Sequence, residues 1–177
     1  PGTLLVADES LRDPNFYESV VLVFQHNDIG TKGLIINRPM PIAVKQALPE
    51  FANKLSADDF VFFGGPVEVN RIHAVARSDS PVEGTININN EIHIAEERDA
   101  IVALLRPKIG HGLRRFYTGF AGWSRGQLAA EIDTGSWHLV SFDATLVLDR
   151  HPQSLWRILI ERTRQKWVRA ASTIHEW

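Results

Sequence analysis

The sequence predicts a single α+β domain spanning residues 1–177. Three observations carry that prediction. Short apolar segments bounded by Gly, Pro, Asn and Asp outnumber segments with helical spacing. The two kinds are not regularly interleaved, which disfavours a doubly wound parallel sheet. The 177 residues, 44% of them apolar, suit one buried core, and no repeat, low-complexity tract or linker divides them.

Taken in order, Thr3–Ala7 reads as a short apolar strand, and Asp13-Pro14-Asn15-Phe16 as a turn, with Pro14 fixing φ. Val20–Gln25 and Gly33–Asn37 are apolar runs joined by a polar, Gly-containing loop, the pattern of a hairpin. Ile42–Leu48 is expected to be a short helix, and Phe60–Phe63 a strand stopped by Gly64-Gly65-Pro66. Ile72–Arg77 and Thr85–Ile94 follow as strands, the second alternating Ile86, Ile88, Ile92 and Ile94 with Asn and His. Ala95–Arg106 has helical spacing and stops before Pro107. Arg114–Ala121 and Trp137–Asp149 complete the strands. A final helix starts at Pro152, a favoured first-turn residue, and runs to about Ala170.

Composition excludes several chemistries. With no cysteine there are no disulfides, thiolate zinc sites, iron–sulfur clusters or Cys nucleophiles. The seven histidines show no H-E-x-x-H or i, i+4 pairing, so neither a metal site nor a cofactor is expected. No apolar run approaches the roughly 20 residues of a membrane span, and no leader pattern opens the chain. A cytoplasmic protein without membrane partners is the expectation. The net charge of −2 removes the simplest case for nucleic-acid binding. It is unevenly distributed, and Arg150–Arg169 is strongly basic.

Gly122-Trp123-Ser124-Arg125-Gly126 matches the G-x-S-x-G of a nucleophile elbow and lies between a predicted strand and a predicted helix. Asp133, Asp143 or Asp149, then His151 or His175, follow in the order a hydrolase would need. A capping box explains more of the residues. The Ser124 hydroxyl would accept from the third helical amide while Gln127 reaches back, and Trp123 and Leu128 would form the accompanying hydrophobic staple. Gly135 would end that helix.

Candidate ligand contacts fall at turns. His26, Asn27, Asn37 and Arg38 flank one predicted hairpin, and Arg38 beside a helix start would make an anion pocket. Gly64 and Gly65 after a strand would let backbone amides approach a ligand, although they form neither a P-loop nor a G-x-G-x-x-G turn. On the final helix, Trp156, Ile160, Thr163 and Trp167 make an apolar stripe widened by Leu155 and Leu159. Arg157, Arg162, Arg164, Lys166 and Arg169 cover the remainder, a solvated face with Arg157–Glu161 pairing.

The block Phe120–Ile132 followed by Gly135-Ser136-Trp137 resembles the "GYAGW-x-x-GQL-x-x-EI…GSW" signature of the AlgH/YqgE family. Three other blocks agree in order: Gly2–Ala7 with Leu11–Phe16 and Ser19–Val21, His26-Asn27 with Gly33–Pro39, and Gly64–Val67. The likeness covers nearly the whole chain. It implies a bacterial protein whose mostly antiparallel, mixed sheet curls into a barrel-like body with a few flanking helices. Members of the family are often labelled transcriptional regulators, and the resemblance brings no catalytic residues with it. In its pattern the Ser124 position varies while the following Gly-Gln-Leu does not, which suits a cap. Asp8-Glu9 and Gln25 depart from the pattern. The expected function is a non-enzymatic cytoplasmic regulatory or binding protein that takes a small anionic ligand or a protein partner. The alternatives are an esterase-like hydrolase using Ser124 and a nucleic-acid binder using the final helix.

Overall fold

A computed structural model describes residues 1–57, 59–106, 114–149 and 151–174, with backbone alone for 166–174. Strands β1 (Leu4–Ala7), β2 (Val20–His26) and β3 (Gly30–Ile35) form an antiparallel meander with Leu4 opposite Leu22 and Leu22 opposite Leu34. Because side chains alternate across a strand, Leu4, Val6, Val20, Leu22 and Leu34 enter one core while Leu5, Ala7, Val21, Val23 and Ile35 enter another. Both faces of this part of the sheet are therefore covered, and its strands read as continuous apolar runs.

Next come β4 (Pro39–Ala43), α1 (Val44–Ala47), a 3-10 turn at Pro49–Lys54, and β5 (Phe60–Phe63) pairing back on β4. Strand β6 (Val67–Arg77) precedes the hairpin of β7 (Ile86–Ile88) and β8 (Ile92–Ala95), and α2 (Arg98–Leu104) follows. Strand β9 (Arg114–Ser124) leads to α3 (Gln127–Asp133), β10 (Trp137–Val140), α4 (Ala144–Val147) and α5 (Pro152–Ile174).

The main path of the sheet is β10-β1-β2-β3-β9-β6-β8-β7, with β5 also against β9 and β4 outside β5. Among the described residues all pairings are antiparallel except β5 with β9. One core draws on β1, β2, β3, β5, β6, β7, β8 and β9 together with Leu155, Leu159 and Ile160 of α5, so the face they share is the inside of a curl. The expected barrel-like body is a curled, mostly antiparallel half-barrel.

Strand β9 is the hub. Along one edge it carries β6. Its other edge is shared, with β5 on Phe116–Thr118 and β3 on Ala121–Ser124. Gly119, at φ +66°, sits where one neighbour gives way to the other.

Several boundaries differ from the sequence reading. Thr85–Ile94 is a hairpin with Asn89, Asn90 and Glu91 between the paired Ile88 and Ile92; the Glu91 amide donates to Ile88 O at 3.1 Å across Asn89 and Asn90, whose φ values are +50° and +59°. The isoleucines that alternate along the sequence face one another across it, Ile86 opposite Ile94 and Ile88 opposite Ile92. Trp137–Asp149 likewise divides, since the Asp143 side chain accepts from the Thr145 amide and starts α4. The expected Ile42–Leu48 helix keeps only α1, because β4 takes Pro39–Ala43 as an outer strand. Ala95, expected at the start of the helix, belongs instead to β8.

Candidate functional site

Asn37 and Arg38 stand at the open end of the β2–β3 hairpin. The Asn37 carboxamide accepts from the Val20 amide at 2.8 Å and donates to the Glu18 carbonyl at 2.9 Å, adding a side-chain rung to the ladder. The Arg38 guanidinium donates to the Asn15 and Tyr17 carbonyls and lies 4.8 Å over the Tyr17 ring. Burial lowers its pKa, partly offset by Tyr17, Asp13 and Glu18. Its donors are directed at the 13–18 loop, which it ties to the sheet.

His26 and Asn27 sit at the opposite, closed end. His26 Nδ1 pairs with the Thr31 hydroxyl at 2.7 Å, and Asn27 Oδ1 accepts from the Ile29 and Gly30 amides at 3.0 and 3.2 Å. Six strand residues separate the two ends, roughly 20 Å at about 3.3 Å each. The hairpin therefore does not bring its two polar pairs together. Instead, His26 and Asn27 border a hollow of about 300 Å³ with Ser124, Arg125 and Gly126.

Ser124 ends β9 and is not the helix cap. Gly126, at φ +77°, occupies the cap position of α3. Half of the expected capping box survives: Gln127 Oε1 accepts from the Ser124 amide at 3.0 Å and from its hydroxyl at 3.2 Å. Trp123 and Leu128 share one core, as the staple requires. No histidine among the described residues hydrogen-bonds Ser124. His26 lies two strands away, since Gly30 faces Ser124 and Thr31 faces His26, which is roughly 10 Å at about 4.8 Å per strand. His138 is engaged with Asp8 at 2.8 Å. His111, Arg150 and His175 lie outside the described residues.

Gly64 and Gly65 pack where three strands meet. The Gly64 amide donates to Thr118 O and its carbonyl accepts from Ile35 N, joining β5, β9 and β3. A Cβ on Gly64 would stand 2.4 Å from Gly119 O, and one on Gly65 would stand 2.2 Å from the Phe120 carbonyl carbon. Their backbone approaches other backbone.

The Trp-Ser-Arg-Gly-Gln-Leu block gains its meaning from Glu131, a residue the sequence reading did not single out. Glu131 Oε2 accepts from the indole N–H of Trp123 at 2.9 Å and of Trp137 at 2.8 Å, while Oε1 accepts from Gln127 at 2.9 Å. Phe16 stacks on Trp123 and meets Trp137 edge-on, with centroids 5.9 and 5.8 Å away. One carboxylate thus locks α3 onto the sheet between two buried tryptophans.

A larger cleft, about 730 Å³, opens where β4, β5 and the start of β9 meet the first turn of α5. That volume is in the range of small-molecule sites. Arg114 and Arg115 both border it, with unlike fates. Arg115 is spent on structure: it donates to the carbonyls of Ile36, Val147 and Asp149 and lies 4.3 Å over the Phe62 ring. The side chain of Arg114 is only 5% exposed. Its Nη2 donates to Lys54 O at 2.8 Å and stands 3.8 Å from Asp59, which itself accepts from the Ser56 amide. Nε of Arg114, itself buried, has no hydrogen-bond partner among the described residues. Leaving a buried donor unmatched costs about 1–3 kcal/mol, more when it is charged. Phe60, 47% exposed, stands at the rim. The sequence signal for this site was slight: two adjacent cations opening an otherwise apolar strand.

Among the described residues no group of three or more His, Asp or Glu is placed to hold a metal ion, and no helix is long and apolar enough to cross a membrane.

Comparison with known proteins agrees with the fold. Residues 4–168 match the family model described as AlgH-like. A UPF0301 protein of Streptomyces coelicolor is 34% identical over 169 residues, covering 92% of this chain and 86% of that one. A UPF0301 protein of Chlorobaculum tepidum is 31% identical over 157 residues, 88% and 82% of the two chains. The solution structure of the AlgH protein from Pseudomonas aeruginosa superposes with a TM-score of 0.73 at 25% identity, covering 93% of this chain and 87% of that one. A crystal structure from Corynebacterium diphtheriae gives 0.78 at 23% identity, covering 92% and 86%.

Proposed function

The chain belongs to the AlgH-like family, and on that premise we propose that it is a non-enzymatic cytoplasmic binding protein with a regulatory role, reaching transcription indirectly. Its ligand is a small anion held in the cleft beside Arg114. The observation that carries this reading is a cleft of ligand size with Arg114 and Arg115 in its wall, Arg114 keeping a buried Nε without a partner among the described residues. The anion site is thereby moved from Arg38, whose guanidinium is occupied by loop carbonyls.

Two rival functions draw less support. Ser124 lacks a histidine base among the described residues. On α5, Arg164 pairs with Glu9 and Arg162 acts on Asp143, as on a solvated face.

The test is a thermal-shift screen of small anions against the wild type and Arg114→Gln. A ligand at a hundred times its Kd adds about 2.7 kcal/mol, roughly 5–10 °C for a domain of this size. At least one anion is expected to raise the wild-type midpoint by that order and to leave Arg114→Gln unmoved. Equal shifts in both proteins would remove the cleft from the account. Duplex DNA is expected not to bind at about 0.15 M salt; an affinity tighter than about 1 μM there would replace the small-ligand reading with a nucleic-acid one.

A further inference from the structure

We infer that the free edge of β10 docks an extended, acidic segment of a partner protein, which adds to the sheet as an antiparallel strand. This surface is separate from the cleft beside Arg114 and does not depend on it.

The register settles which backbone groups are on offer. Leu4, Leu5, Val6 and Ala7 face Val140, Leu139, His138 and Trp137, and the Asp8 amide donates to Ser136 O. Bonded and non-bonded pairs alternate along an antiparallel ladder. Val6–His138 is therefore a bonded pair, whereas Ala7–Trp137 and Leu5–Leu139 are not. The Ala7 amide accordingly turns the other way, to Ser19 O. Trp137 and Leu139 thus direct their N–H and C=O groups away from β1, and no other described strand pairs with them.

Sheet edges are ordinarily protected. Among the described residues this sheet ends at β4, β7 and β10. Strand β4 carries Pro39 and Pro41, which have no N–H, and β7 is three residues long. Strand β10 has no proline, and helices wall both its faces. Ile132 of α3 packs with Trp137 on one face, and Leu159 of α5 packs with Val140 on the other. With Arg162 and Thr163 they enclose a groove of about 580 Å³ along the edge. An unpaired strand edge inside a walled groove fits an extended backbone.

Side chains of an added strand alternate between the two walls. Those opposite Trp137 and Leu139 meet Ile132 and the Leu139 side chain, which is 56% exposed, and so are apolar. Those facing α5 meet Arg162. His138 is held by Asp8, Glu131 by two indoles, and Asp143 by Thr145 with Arg162 acting on it. The exposed Asp133 belongs to the α3 wall, where the segment is apolar. After Glu161 the rest of α5 adds basic residues and no carboxylate. Acidic side chains therefore complement the α5 wall. A second copy of the chain fits less well. Antiparallel pairing of β10 with itself would set two α5 helices side by side on one face, Arg162 towards Arg162.

The experiment titrates the full chain, labelled with ¹⁵N, with a blocked heptapeptide alternating glutamate and valine. A lysine–valine version and two N-methylated versions are the controls. In the antiparallel register the valine amides point at β10 and the glutamate amides point away. The expected Kd is tighter than about 1 mM, with amide shifts centred on Trp137–Ser141. Methylating the valine amides, or replacing glutamate by lysine, weakens binding at least about tenfold; methylating the glutamate amides leaves it unchanged. Leu139→Pro, which removes an outward N–H that β1 does not use, abolishes binding. Arg162→Glu, at an exposed position, reverses the preference between the acidic and basic peptides. Should Leu139→Pro fail to fold, the methylated pair and Arg162→Glu carry the decision. Equal binding of the two methylated peptides overturns strand addition, and equal binding of the lysine peptide overturns the acidic partner. A dimer in sedimentation that Leu139→Pro dissolves assigns the edge to a second copy and overturns the partner-segment reading. Absence of binding by the acidic peptide up to about 1 mM overturns the proposal.

Discussion

Gly65 has a φ of +151°, and a methyl group there would run into the backbone of Phe120 and Ala121. Gly126 also has a positive φ, +77°, yet a Cβ there meets nothing within 4 Å. The two glycines separate conformational strain from crowding. Gly126→Ala is expected to cost about 1–2 kcal/mol, the price of a left-handed backbone alone. Gly65→Ala is expected to cost more, about 3 kcal/mol or above, since fixed backbone cannot yield. Urea denaturation of both proteins measures the difference, and equal losses would contradict the crowding argument. The pair Gly64-Gly65 was legible in the sequence as a place of close approach, but not as to what approaches. The same holds for Arg38 and Asn37. Their polar character marks them as functional candidates, and their partners, loop carbonyls and a strand amide, come from residues about 20 positions away.

Helix α3 is seven residues long, too short to be stable alone. It is held by Glu131, which takes both indole N–H groups from strands on either side of it, and by Leu128 beneath. Glu131→Gln removes the charge from three charge-assisted hydrogen bonds, those from Trp123, Trp137 and Gln127, and is expected to cost about 1–3 kcal/mol. Tryptophan fluorescence should shift with it, while Ser124→Ala, which loses one exposed hydroxyl contact, should stay within about 0.5 kcal/mol. If Ser124→Ala proved the more damaging, Ser124 would have a role the fold does not show. Most elements were readable from local pattern. Pro152 marked the start of α5, and its buried Leu155, Leu159, Ile160 and Thr163 follow the apolar stripe. The hairpin at Asn89-Asn90 was hidden because strand alternation continues in phase across the three residues between Ile88 and Ile92; only the positive φ of two asparagines reverses the chain.

Across the molecule, carboxylates with lowered pKa values set the response to acid. His73 holds Glu96 below its ordinary value, with Lys32 and Arg71 assisting against burial. Ser10 does so for Asp8, and the Thr145 hydroxyl for Asp143. A carboxylate whose pKa is lower in the folded than in the unfolded chain contributes stability above its unfolded value, and that stability is lost as pH falls through the folded one. The unfolding midpoint is therefore expected to drop on acidification from about pH 5 towards pH 2, and Glu96→Gln to flatten the drop. A midpoint that rose over this range would contradict the assignment. On its own, the sequence determined the α+β class, the alternating faces of the strands, the turns marked by Gly and Pro, the start of α5 and the family likeness. Each of these depends on neighbours a few residues apart. Only the tertiary structure decided which of two adjacent arginines is consumed by carbonyls and which keeps a donor unmatched among the described residues. It also decided that β4, β5, β9 and α5 enclose one cleft. Those outcomes depend on contacts between segments dozens of residues apart, whose register no local period encodes.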